Sequence, residues 1–89
     1  MCCIVLLAGC SNKNAISAND AGVTLYNEGK YEQALDMFDT AIQTYPNLKQ
    51  AHYNKGLALY ALGLYDQAIA SYDNALQIDP GYSEALADK

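Results

Sequence analysis

The sequence repeats itself. Displaced by 34 residues, Gly22 to Pro46 falls on Gly56 to Pro80 with 11 of 25 positions identical. The identities are Gly22/Gly56, Leu25/Leu59, Tyr26/Tyr60, Gly29/Gly63, Tyr31/Tyr65, Gln33/Gln67, Ala34/Ala68, Asp39/Asp73, Ala41/Ala75, Gln43/Gln77 and Pro46/Pro80. Leu35/Ile69, Phe38/Tyr72 and Ile42/Leu76 keep the character of the side chain, and a third copy opens where Ala85 and Lys89 match Ala51 and Lys55. A unit of this length cannot bury its apolar face alone, so copies have to stack on one another to make a core. With 89 residues there is room for one small domain.

Each copy reads as two helices with a glycine between them and a proline after the second. Ala18, Ala21, Gly22 and Leu25 recur at helical spacing along one small-sided face, and Ala34, Leu35, Phe38, Ala41 and Ile42 make the complementary stripe. Gly22 and Gly56, with Ala34, Ala41, Ala68 and Ala75, remove bulk where paired helices cross. Gly29 and Gly63 suit the left-handed conformation that ends a helix, and Pro46 and Pro80 cannot continue one. Glu32 and Asp66 fall in the first turn of the second helices, where negative charge is favoured.

A helix-turn-helix period of this length resembles the tetratricopeptide repeat. The matching positions are Gly22, Ala34, Phe38 and Pro46, and again Gly56, Ala68, Tyr72 and Pro80. The sequence departs from the family pattern at its large position (Ala18, His52), before the glycine (Ala21, Lys55) and at its tyrosine position (Leu25, Leu59). The resemblance implies an all-α solenoid of antiparallel helix pairs: repeat one over 17–48, repeat two over 49–82, and the start of a third or capping helix over 83–89. It also implies a concave groove lined by the first helices, which receives a peptide or helix of a partner protein. Carried over by position, the groove residues are Val23, Tyr26 and Asn27 from repeat one and Tyr53, Asn54, Leu57, Tyr60 and Ala61 from repeat two. Tyrosine rings and amides suit such a role, giving contact area at low entropic cost and bonds to an extended backbone. The other reading of Tyr26 and Tyr60 is packing between adjacent helices. Some relatives clamp a terminal carboxylate with lysine and asparagine; Asn54 matches that pattern, but Asp20 in the equivalent place of repeat one disfavours it.

Ten acids against five lysines, with no arginine, give a net charge of -5. Phosphate backbones are bound by clustered cations, so nucleic acid is not expected as a partner; a neutral or basic protein surface is. Asp36, Asp39 and Asp73 are expected on the solvated outer side of the second helices.

The three cysteines, Cys2, Cys3 and Cys10, crowd the start of the chain and cannot staple the fold. Ile4 to Gly9 is wholly apolar and ends in Leu7-Ala8-Gly9-Cys10, followed by polar Ser11 to Asn14. This resembles a bacterial lipoprotein signal, lacking the basic residues and longer apolar segment usual upstream. The resemblance implies a signal peptide over 1–9, acylation of Cys10 with diacylglycerol and palmitate, and a place in the bacterial cell envelope, on the outer membrane where the organism has one. Residues 10–16 are then expected as lipidated cysteine and polar tether, reaching roughly 20 Å when extended.

The side-chain inventory offers no enzyme. His52 is the single histidine and is expected as a half-buried packing wedge, and no zinc-binding His-Glu-x-x-His helix or glycine-rich phosphate loop occurs. No cofactor, metal or small-molecule substrate is expected. The sequence points to a membrane-anchored protein-interaction module; the alternative is a self-associating or truncated solenoid without a specific peptide ligand.

Overall fold

The computed structural model describes residues 7–82, with side chains from residue 14 onward. Four helices follow one another: α1 (Leu7–Asn27), α2 (Tyr31–Thr44), α3 (Lys49–Ala61) and α4 (Tyr65–Ile78). α1 packs on α2, α3 packs on α4, and α2 meets α3 to join the two hairpins, with α1 also touching α3. The result is the all-α stack of antiparallel pairs expected from the period. Residues 1–6, including Cys2 and Cys3 of the expected signal, and the expected third or capping helix over 83–89 lie outside the described residues.

The turns inside the two hairpins are built alike. Gly29 and Gly63 take φ of 83° and 84°, a left-handed backbone that an L side chain adopts only at a cost. Around Gly29 the Lys30 N–H donates to Leu25 O at 2.9 Å and the Gly29 N–H to Tyr26 O at 3.0 Å. Leu64 and Gly63 repeat these bonds to Leu59 and Tyr60. This crossed pair satisfies carbonyls that the helix end would leave open. α2 and α4 start without a side-chain cap, at Lys30 and Leu64, but each carries its expected acid, Glu32 or Asp66, in the first turn.

Inside each hairpin an aromatic ring lies against a glycine. A Cβ built on Gly22 would stand 2.4 Å from Phe38 Cε1, and one on Gly56 the same 2.4 Å from Tyr72 Cε1. The missing side chains let the helices close over the two rings, which are almost wholly buried; each ring contributes roughly 1.5–3 kcal/mol by leaving water. The rest of the core is small: Ala34 and Ala58 join Phe38, while Ala68, Ala75 and Leu59 join Tyr72.

A third cluster corrects the sequence reading. Ala15 is fully buried with Ala41 and Ala51, with Ala18, Ile42 and Leu48 packed around them. The stretch from Ser11 to Ile16, expected as an extended tether, is thus part of α1. A short apolar residue here meets two alanines on the neighbouring helices, and that contact continues the helix beyond the point where repeat similarity begins. Asp39 also differs from expectation. Its carboxylate pairs with Lys55 Nζ at 2.7 Å across the α2–α3 junction, so it links the repeats rather than simply solvating the outer side.

Candidate functional site

The first helices bring most of the expected groove residues together. Val23, Tyr26 and Asn27 from α1 and Asn54 and Leu57 from α3 line one hollow of about 160 Å³, with Phe38 of α2 as a further wall. Valine, leucine and two rings form an apolar interior; Asn27 and Asn54 supply amides. Asn54 is already engaged on one side, its Nδ2 donating to Asn19 Oδ1 at 2.9 Å. This bond between α1 and α3 fixes the orientation of the Asn54 amide, leaving its carbonyl oxygen as an acceptor.

The two remaining tyrosines stand elsewhere. The Tyr53 ring lies 5.7 Å from Tyr72 and 5.5 Å, edge-on, from Tyr82, and packs on the core of repeat two. Tyr60 is 58% exposed and meets Tyr65 edge-to-face at 4.9 Å. Tyr26 both lines the hollow and packs at 5.2 Å against Tyr31, so the packing between adjacent helices does not remove it from the groove side.

Phe38 and Asn19 are the residues that position-by-position transfer missed. Phe38 belongs to a second helix, yet its signal was present in Gly22: a glycine inside a helix admits a ring from the facing helix, and such a ring reaches through to the groove. Asn19 carried no signal, because its bond to Asn54 depends on how far α1 and α3 are rotated about their axes.

An ion pair ties the two ends of the second repeat together. Lys49 Nζ donates to the Asp79 carboxylate and stands 4.9 Å from the centre of the Tyr82 ring. The Lys49 bond is the main reason the Asp79 carboxyl is held below its ordinary value; the Gly81 N–H, donating to the same carboxyl at 3.2 Å, adds to it. His52 is half-buried and hydrogen-bonded to Pro46 O at 2.8 Å. Since a carbonyl only accepts, the His52 Nε2 is the donor in that bond. Among the described residues no group of three or more His, Cys, Asp and Glu is arranged to hold a metal ion, and no helix is long and apolar enough to cross a membrane.

The paired helices, the glycine–ring contacts and the first-helix hollow have a counterpart among known families: the model of the tetratricopeptide repeat matches residues 19–83, well over half of the chain. The chain belongs to the tetratricopeptide-repeat family. A search of curated proteins found no match. Membership makes this tetratricopeptide-repeat chain a protein-interaction module, because the family is an interaction repeat and typically not enzymatic.

Proposed function

We propose that this tetratricopeptide-repeat protein is a lipid-anchored adaptor of the bacterial envelope, and that it holds an apolar side chain of a neutral or basic partner segment in the hollow between α1, α2 and α3. The hollow carries the reading. Its volume of about 160 Å³ is near that of apolar cavities of ~150 Å³ that accept a benzene ring, so one ring or branched aliphatic group fills it. Asn27 and the Asn54 carbonyl then stand ready for the backbone beside that anchor, and the chain's charge of -5 favours a neutral or basic segment.

Anchoring rests on the Leu7-Ala8-Gly9-Cys10 motif. Because α1 is already helical there, Cys10 and buried Ala15 are about 7.5 Å apart along the axis at 1.5 Å per residue. An acylated Cys10 would therefore hold the repeats close to the lipid surface, with little slack. Two or more acyl chains are what stable anchoring requires.

Two measurements test the proposal. The intact mass of membrane-extracted protein should show acyl chains on an N-terminal Cys10; an unmodified Cys10 removes the anchor. Crosslinking in membranes should recover a partner with the parent and lose it with Leu57→Asp and Tyr26→Ala variants that circular dichroism shows to be helical. Recovery of self-crosslinked copies alone, from parent and variants alike, would overturn the adaptor.

A further inference from the structure

A second hollow, of about 590 Å³, opens where the α2–α3 loop meets the start of α3 and the end of α4. No described residue of α1 lines it, so it is separate from the groove. Tyr45, Pro46 and Asn47 form the loop side, and Asn74, Gln77 and Ile78 come from the last turns of α4. His52 supplies the α3 side. Its Nε2 donates to Pro46 O at 2.8 Å, which ties the loop to the helix and keeps that wall in place before any ligand arrives. The lining holds no Asp, Glu or Lys, although the chain carries ten acids and five lysines. Its remaining polar groups are the Asn47, Asn74 and Gln77 amides and the Tyr45 hydroxyl, and no side-chain hydrogen bond joins any of these to another described residue.

We propose that this hollow binds a neutral sugar of one or two rings. An amide donates and accepts from adjacent atoms, as the neighbouring hydroxyls of a sugar do. The Tyr45 ring, 38% exposed, and half-buried Ile78 offer apolar surface that suits the C–H face of a pyranose, with the amides placed around it for the hydroxyl rim. The volume lies within the roughly 300–1,000 Å³ of small-ligand sites. A ligand with formal charge finds no counter-charge in the lining and loses hydration without recompense. An extended peptide is held along a continuing strand edge or groove, whereas this hollow is bounded by one loop and two helices.

The internal repeat shows that the opening does not depend on what stacks next. Asn74, Gln77 and Ile78 fall one period after Thr40, Gln43 and Thr44. There α3 already lies on α2, yet Thr40 and Gln43 remain exposed and Thr44 half-buried. A further helix stacked on α4 in the same register leaves Asn74 and Gln77 open in the same way. Repeat one is built differently at these places. Thr40 and Thr44 turn their hydroxyls back to Asp36 O and Thr40 O, at 3.0 and 2.8 Å, and Ala18 stands in the place of His52. The chain therefore leaves its own period at His52, Asn74 and Ile78, all of which line the hollow, while it keeps the period at the small and aromatic positions of the core.

Side-chain amide signals in NMR report on the site directly. At least one of cellobiose, maltose and N,N′-diacetylchitobiose, titrated into the full chain, should shift the signals of Asn47, Asn74 and Gln77 saturably, with a dissociation constant on the order of 1 mM. A double variant, Asn74→Ala with Gln77→Ala, changes exposed helix positions where alanine is favoured, and should weaken binding by about tenfold or more through the lost hydrogen bonds. No saturable shift with any of the three sugars, shifts confined to Asn27 and Asn54 in the groove, or equal binding by the double variant would overturn the proposal. So would glucuronate or glucosamine binding as tightly as the neutral sugars, because the uncharged lining would then select nothing. Acetyl-triglycine amide moving the same signals at lower concentration than the sugars would also overturn it, because the occupant would then be a peptide.

Discussion

A methyl group added at Gly22 would meet the Phe38 ring at 2.4 Å, whereas one added at Gly29 would meet nothing within 4 Å. The two glycines therefore resist substitution for different reasons. Gly22→Ala gains about 1 kcal/mol of helix propensity but overpacks a buried ring, which typically costs about 1–3 kcal/mol. Because Phe38 is 1% exposed it has little room to yield, so the cost falls toward the upper end of that range and a net loss of up to about 2 kcal/mol is expected. Gly29→Ala has space but must hold φ near 83°, at a cost of about 1–2 kcal/mol. Urea denaturation separates the two mechanisms. Gly29→Asn should recover part of the Gly29→Ala loss, since asparagine tolerates the left-handed region. Gly22→Ala should instead couple favourably to Phe38→Leu in a double-mutant cycle.

At the scale of helices, the ion pairs mark where one element is tied to the next. Lys55 joins α3 to Asp39 of α2, and Lys49, at the start of α3, reaches Asp79 just after α4. Both pairs are partly exposed, so each contributes modestly to stability. The Asp79 pair nevertheless leaves a measurable trace, because the Lys49 bond lowers the carboxyl's affinity for a proton. A lowered carboxyl favours the folded state fully above its unfolded value of about 3.9, and the contribution disappears as pH falls through the lowered folded value. Lys49→Met should therefore raise the Asp79 midpoint in an NMR titration and flatten the acid limb of the stability curve. An unchanged midpoint would show that the Gly81 N–H, and not Lys49, dominates at Asp79.

For the whole molecule, the N-terminal part of α1 decides where the folded unit begins. Repeat similarity places repeat one at residue 17, but Ala15 is buried with Ala41 and Ala51 and so belongs to the junction of the two hairpins. A chain starting at Ser17 should be less stable than one starting at Ser11 by about 1 kcal/mol or more, from the lost methyl burial and the shortened helix. Equal denaturation midpoints would return residues 11–16 to the role of a tether. The same junction governs reach: with Ala15 fixed in the core, the proposed acylation of Cys10 would hold the groove near the membrane.

The all-α fold, its helix pairing and its turns could be read from the sequence, because each follows from a local pattern repeated twice. Gly29 and Gly63 end helices for reasons of φ alone, Pro46 and Pro80 stop them, and Gly22 and Gly56 remove bulk where paired helices cross, the ring that fills that space being a finding of the structure. The tetratricopeptide-repeat family model matches residues 19–83, the span that holds both copies of that pattern. Several features depended instead on how the helices rotate and cross. Five of the expected groove residues line one hollow, while Tyr53 turns into the core of repeat two and Tyr60 pairs with Tyr65 at the end of the stack. Phe38 reaches the hollow from the second helix, and Asn19 holds Asn54. A periodic sequence assigns a residue to a helix and a register; which neighbour it meets is fixed only when side chains from different helices compete for the same space.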